Sequence, residues 1–147
     1  MILIYVLTGS FVLFLVAGHA GVAFFHGWQE PLRASLGVMF LLTASAHRGR
    51  LRSDLIAMIP PGFPRPALLV TFTGFLEAAG AIALQFSRLE PYAAATLFLM
   101  LIAVFPANIY AAKHHLTLGG SPVPSLLPRV AIQIVLLIAL WFAAQPI

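Results

Sequence analysis

Cysteine is absent from the 147 residues. Disulfides, thiolate-held metal or iron–sulfur clusters and CxxC redox chemistry are thereby excluded, and the redox compartment cannot be read. Charge is scarce: Asp, Glu, Lys and Arg make up 8% of the chain, against about 25% in soluble domains. Only four of these residues are acidic. So few charges cannot hydrate the surface of a soluble fold. A disordered chain is excluded by the opposite measure, since 61% of the residues are hydrophobic and disorder needs apolar poverty. No P-loop, GxGxxG or HExxH occurs. No folded basic surface outside a bilayer is available for nucleic acid, so the net charge of +4 reads as topology signals between apolar runs. The class that remains is an integral membrane protein of one domain, residues 1–147.

Five apolar runs follow one another: residues 2–25, 32–47, 67–86, 91–112 and 126–144. Each is too long and too uniformly apolar for a barrel strand, so an all-α polytopic transmembrane bundle is expected. The first run lacks the basic start of a signal peptide and reads as a retained span. The second is the weakest, about 25 Å long as a helix, and Arg33 near its start would have to snorkel to the headgroups. Residues 47–66 hold Arg48, Arg50, Arg52 and Asp54 before a proline-rich turn that contains Arg65. Leu51, Leu55, Met58 and Ile59 recur there at helical spacing, which predicts a short amphipathic helix in the interface. Small residues should mark helix contacts: Ala17, Gly21, Gly74, Ala78, Ala81, Ala93 and Ala94.

The two basic connections, 47–66 and 113–129, fall on one side only if all five runs cross. The positive-inside rule then places both in the cytoplasm of a bacterial plasma (inner) membrane protein. Four spans, with 32–46 re-entrant or an end segment lying along the membrane, are the alternative.

Four polar or helix-breaking positions stand inside these runs. Glu77 lies near the middle of the third. A carboxyl there costs several kcal/mol unless paired or protonated, so it should face the bundle interior. It is either a proton-accepting or hydrogen-bonding group at a ligand, quinone or cofactor site, or a protonated tie between helices. Pro106 bends the fourth run and frees the Ile102 carbonyl, and Asn108 beside it is placed to hydrogen-bond across helices or to a ligand. His47 ends the second run, at about the depth of Asn108, so contacts of His47 with Glu77 or Asn108 are geometrically open. Glu77 and His47 are the catalytic candidates. His19 and His47 sit at opposite sides and no CxxCH is present, so covalent haem is not expected. His114 and His115 point apart, and no metal site is expected.

The segments Leu36–His47, Ile59–Pro66, Thr73–Ala81 and Ala103–Asn108 together, with their His, PPxxP, TGxxE and FPAN features, resemble the DoxX-like family of small bacterial and archaeal membrane proteins over about residues 32–144. The resemblance implies a four-helix membrane core, with residues 2–25 as one added N-terminal helix. It also implies that His47, Glu77, Pro106 and Asn108 are recurrent positions. Some members are associated with a terminal quinol oxidase or a thiosulfate:quinone oxidoreductase. The chain departs from the pattern at Arg48, where members often carry an aromatic.

Three functions are open at this point. The first is a membrane subunit linked to quinone or redox chemistry, with electrons supplied by a partner or cofactor. The second is a non-catalytic accessory or assembly subunit. The third is a small-solute or proton carrier, which a homo-oligomer would favour. The expected partners are the lipid bilayer and a second membrane protein or copy of the chain; a quinone is the expected cofactor of the first reading.

Overall fold

A computed structural model describes residues 2–145; residues 1, 146 and 147 of the expected domain lie outside them. The described chain is mostly helical. In order it forms α1 (Ile2–His19), α2 (Gln29–Ala46), α3 (Arg52–Ala57), α4 (Pro66–Ala83) and α5 (Glu90–Lys113). A two-stranded hairpin of β1 (Thr117–Leu118) and β2 (Ser121–Pro122) follows, then α6 (Leu126–Ala143). Four helices, α1, α4, α5 and α6, are long and apolar enough to cross a membrane. The 18-residue ones reach about 27 Å and the 24-residue α5 about 36 Å.

The helix α2 has the same length as α1, α4 and α6 but is not among the four. Its composition follows from its place. It packs on α1, α4 and α6 and buries Arg33, Ser35, Leu36, Gly37, Met39 and Phe40. A helix surrounded by other helices meets protein more than lipid, so it can carry polar groups that a lipid-facing helix cannot. The apolar core is built around it, with Leu36, Met39 and Phe40 meeting Leu84, Leu97, Leu136 and Leu140. The outer faces are apolar too: Phe72, Phe75, Leu99, Leu127, Ile138 and Trp141 are all exposed. A soluble monomer does not display so much contiguous apolar surface, whereas a bilayer covers it.

The first helix is shorter than its apolar run. It ends at His19 rather than near residue 25. The Gly21 N–H donates to the Gly18 carbonyl at 3.1 Å and the Val22 N–H to the Ala17 carbonyl at 3.1 Å, with Gly21 at φ 98°. These are the two bonds and the left-handed residue of a Schellman stop. Gly21 therefore terminates the helix and is exposed, against its expected role in helix packing. The chain then folds back, and Phe25 stacks on Phe14 with ring centroids 4.9 Å apart. Of the other small residues, Gly74, Ala81, Ala93 and Ala94 are buried as expected, whereas Ala17 and Ala78 are half-buried.

The stretch 47–66 holds one short helix, α3, of six residues. Met58, which caps its C-terminus, is buried, and α3 packs on α4 and β1. Asp54 Oδ2 accepts the Gly119 N–H at 2.8 Å, fastening α3 to the hairpin turn. Gly119 and Gly120, at φ 61° and 79°, form the two-residue turn whose positive φ at both positions favours glycine.

Candidate functional site

The polar groups gather in three places, each at or near helix ends. The first is the junction of α2 and α4. His47 caps α2, and its Nδ1 lies 3.0 Å from the Thr43 carbonyl one turn back. Gly74 and Glu77 are three residues apart and share the face of α4 that meets α2. A Cβ on Gly74 would stand 2.5 Å from the His47 Cβ and 2.7 Å from its Cγ. Glycine is thus what lets the imidazole lie against α4. The ring reaches Glu77 from there: Nδ1 to Oε2 is 3.6 Å, with both side chains 12% exposed.

That separation is too long for a hydrogen bond. With Nδ1 donating to the Thr43 carbonyl, its proton is already used. The Thr43 hydroxyl also lies beside the carboxyl, but it gives its hydrogen to the Phe40 carbonyl at 3.0 Å. Glu77 Oε2 is buried and has no hydrogen-bond partner among the described residues. A buried polar atom left so costs about 1–3 kcal/mol, more if charged. Above the pair, Arg52 donates to the His47 carbonyl at 2.9 Å, the Ala67 carbonyl at 3.1 Å and Thr71 Oγ1 at 2.9 Å. Arg52 therefore locks the end of α2 to the start of α4, where the sequence suggested only a topology signal.

The second place joins α5 to α6. Asn108 Oδ1 accepts from Arg129 Nη1 at 2.6 Å, and Arg129 Nε donates to the Pro124 carbonyl at 3.2 Å. This is the cross-helix bond expected of Asn108. It also takes Asn108 out of the site: no hydrogen bond or ion pair joins Asn108 to His47 or Glu77 among the described residues. Pro106 sits inside the continuous α5 and is exposed. A neighbouring carbonyl, that of Leu101, accepts from the buried Gln133 of α6 at 2.7 Å.

The third place is the opposite end of the bundle, and sequence reasoning missed it. Arg33 does not snorkel. It is 4% exposed and its Nη1 lies 2.6 Å from Glu90 Oε2 at the start of α5. Its Nε donates to the Ala143 carbonyl at 2.9 Å and its Nη2 to the Gln145 carbonyl at 2.7 Å. Gln85, just past α4, donates to the Arg33 carbonyl at 3.1 Å and to Ala81 at 3.0 Å. Three helices, α2, α5 and α6, meet on one guanidinium, and Gln85 ties the end of α4 to the Arg33 backbone. The available signal was a single Arg and a single Glu, each in the first turn of a helix on the same side of the bundle.

Chemically, the His47–Glu77 pair can hold or pass a proton and offer one carboxyl oxygen to a ligand. The one hydroxyl named beside it, that of Thr43, donates to the Phe40 carbonyl rather than to either member of the pair. Among the described residues no group of three or more His, Asp or Glu side chains is placed to hold a metal ion.

No curated protein and no solved structure matches the chain. A family model matches residues 36–144, about three-quarters of the sequence. The match takes in His47, Glu77, Glu90, Pro106 and Asn108 and leaves out α1, Glu30 and Arg33. The chain belongs to the family described as Domain of unknown function (DUF8561).

Proposed function

We propose that this chain is a DoxX-like subunit of a bacterial plasma-membrane redox complex, in which Glu77 and His47 bind the oxygen of a quinone and handle its proton. In this reading α2 is a fifth span, and the basic loops 47–66 and 113–129 lie in the cytoplasm. The charge alternation of the loops supports that orientation.

One observation carries the functional part. Glu77 Oε2 is buried without a partner while an imidazole stands 3.6 Å away. A protonated Glu77 donates to a carbonyl oxygen; an ionised one accepts from a hydroxyl. The imidazole spends Nδ1 on the Thr43 carbonyl, so its other nitrogen, Nε2, is the one that can take or return a proton. These are the properties a quinone headgroup needs from its site, so the residues fit the group. A quinone, when bound, supplies a two-electron, two-proton acceptor. No side chain here carries electrons, so a partner's redox group delivers them.

The test is native mass spectrometry of protein extracted gently from its own membrane, with an ultraviolet–visible spectrum of the same sample. Bound quinone, or a partner bearing a redox cofactor, is the expected result. Glu77→Gln should then lower quinone occupancy about tenfold, the worth of one hydrogen bond to a charged group. An intact complex with unchanged activity in Glu77→Gln would assign the chain to the accessory class instead. A homo-oligomer without chromophore that moves protons in vesicles would assign it to the carriers.

A further inference from the structure

Side-chain charge is divided unequally between the two ends of the bundle. The Arg33 end carries Arg33 and Arg88 against Glu30 and Glu90 and is neutral. The opposite end carries Arg48, Arg50, Arg52, Arg65, Lys113 and Arg129 against Asp54, with Glu77 inside the bundle. Asp54 is already engaged, accepting the Gly119 N–H at 2.8 Å. Arg52 and Arg129 are engaged too, on carbonyls and on Asn108. Arg48, Arg50 and Arg65 are exposed, and among the described residues their guanidinium groups make no hydrogen bond or ion pair. Arg52 joins the carbonyls of His47 and Ala67, so one side chain fixes the segment of Arg48 and Arg50 beside that of Arg65. An apolar stripe begins on α4 one turn after Arg65. Leu68, Phe72 and Phe75 recur at spacings of four and three, share one face of the helix and are exposed. From Arg65 to Phe75 the helix rises about 15 Å, half of the roughly 30 Å hydrocarbon core of a bilayer. A molecule that covers this surface therefore needs an anionic end and an apolar length of about one leaflet. An acidic soluble protein meets the first need and not the second.

We infer that this face binds an anionic phospholipid, with its headgroup on Arg48 and Arg65 and its acyl chains along Leu68, Phe72 and Phe75. Guanidinium groups pair their N–H donors with phosphate oxygens. A choline lipid brings the same chains, but its own ammonium offsets the phosphate, so it competes weakly. A topology signal needs only positive charge on one side of the membrane. A lipid site needs these arginines above this stripe, and it selects among lipids. The inference does not rest on the quinone reading.

The experiment uses the full chain in nanodiscs made from an equal mixture of phosphatidylglycerol and phosphatidylcholine, with native mass spectrometry counting retained lipids. Each arginine beside an anionic headgroup is worth about fivefold, so a preference of about 25-fold for phosphatidylglycerol is expected. Arg48→Gln and Arg65→Asn should each lower it about fivefold, and the double variant should reach parity. Asn suits position 65 because it tolerates the left-handed backbone there, at φ 50°. Arg88→Gln removes an exposed arginine from the neutral end and should leave the preference unchanged. Should the double variant lose its helical circular dichroism, the two single variants carry the test. The proposal is overturned if the wild type shows no preference, if the preference survives loss of both arginines, or if Arg88→Gln lowers it equally. Binding of polyglutamate to the wild type in choline-lipid nanodiscs, without lipid preference in the mixture, also overturns it and assigns the arginines to an acidic protein partner.

Discussion

The two acidic side chains buried in this bundle have opposite surroundings. Glu90 opens α5 and meets Arg33 at 2.6 Å, while the guanidinium also satisfies two carbonyls at the end of α6. Glu77 sits inside α4 with an imidazole at 3.6 Å and an oxygen that bonds to nothing among the described residues. At one end of the molecule the bonds of Arg33 and Glu90 tie α2, α5 and α6 together, with Gln85 at the end of α4 on the Arg33 carbonyl. The other keeps a carboxyl in hand. A group whose bonds are all made can only hold the fold. A group kept buried with a bond unmade costs stability and is retained where a ligand or a proton completes it. The comparison therefore gives Arg33 and Glu90 a structural part and supports the role proposed for Glu77 and His47, and each half can be broken separately.

The largest effect is expected from Glu90→Ala. It leaves the Arg33 guanidinium buried and unpaired, which costs about 3–5 kcal/mol. Unfolding in mixed micelles, followed by circular dichroism, measures the loss. The double substitution Arg33→Met with Glu90→Leu should recover most of it, because an apolar pair of similar volume replaces a buried ion pair at little cost. A double mutant as unstable as Glu90→Ala would show that Arg33's bonds to Ala143 and Gln145, rather than the ion pair, hold this end.

Next comes Gly74→Val. The added Cβ alone would stand 2.5 Å from His47, so α2 and α4 must separate or the imidazole must leave. Overpacking of this kind costs about 1–3 kcal/mol. The sharper readout is local. The Nδ1 resonance of His47 should shift as its bond to Thr43 is lost, while the Arg33 end keeps its protection against hydrogen exchange. A loss of protection at both ends would mean that the two regions do not behave as independent units.

Most helices were legible as apolar runs, because a segment facing lipid must be apolar over its length. The places where the reading failed share one cause. Arg33 was read against a bilayer, but α2 lies among α1, α4 and α6, and its solvent is protein. A hydropathy scale cannot know that a carboxylate 57 positions away will meet an arginine. Gly21 was read as a packing residue although Ala17, Gly18 and Val22 around it carry the pattern of a helix stop. The hairpin at 117–122 lies in a stretch read only as a basic connection, although Gly119-Gly120 is a two-residue turn signature. Of the candidate site, Glu77 and His47 were legible as polar positions whose contact was geometrically open, and the structure brings them to 3.6 Å. Asn108 was legible as a cross-helix group, but its partner, Arg129, had been read as a topology charge.

A smaller loss is expected from Gln133→Leu. It removes the bond to the Leu101 carbonyl, which keeps its place in the helix, so the loss should be about 1 kcal/mol. Asn108→Ala should cost a similar amount through Arg129. Neither should alter a ligand at Glu77, because no bond links these residues to it. A change in quinone occupancy in either variant would mean that the α5–α6 contact shapes the site.

The smallest stability effect belongs to Glu77→Gln, and that is what makes it informative. In the folded chain Glu77 Oε2 makes no hydrogen bond among the described residues. The amide has nearly the same shape and cannot ionise, so it cannot place a charge in the bundle. Stability in micelles should stay within about 1 kcal/mol of the wild type, or rise, since a buried charge is costlier than a buried dipole. The contrast with Glu90→Ala would then be several kcal/mol between two buried acids of one small protein. A loss of about 3 kcal/mol or more in Glu77→Gln would instead mean that the carboxyl pairs with His47 as an ion pair in the membrane, and that Glu77 ties helices together. The proton-handling role stands only if the chain keeps its stability while its ligand occupancy falls.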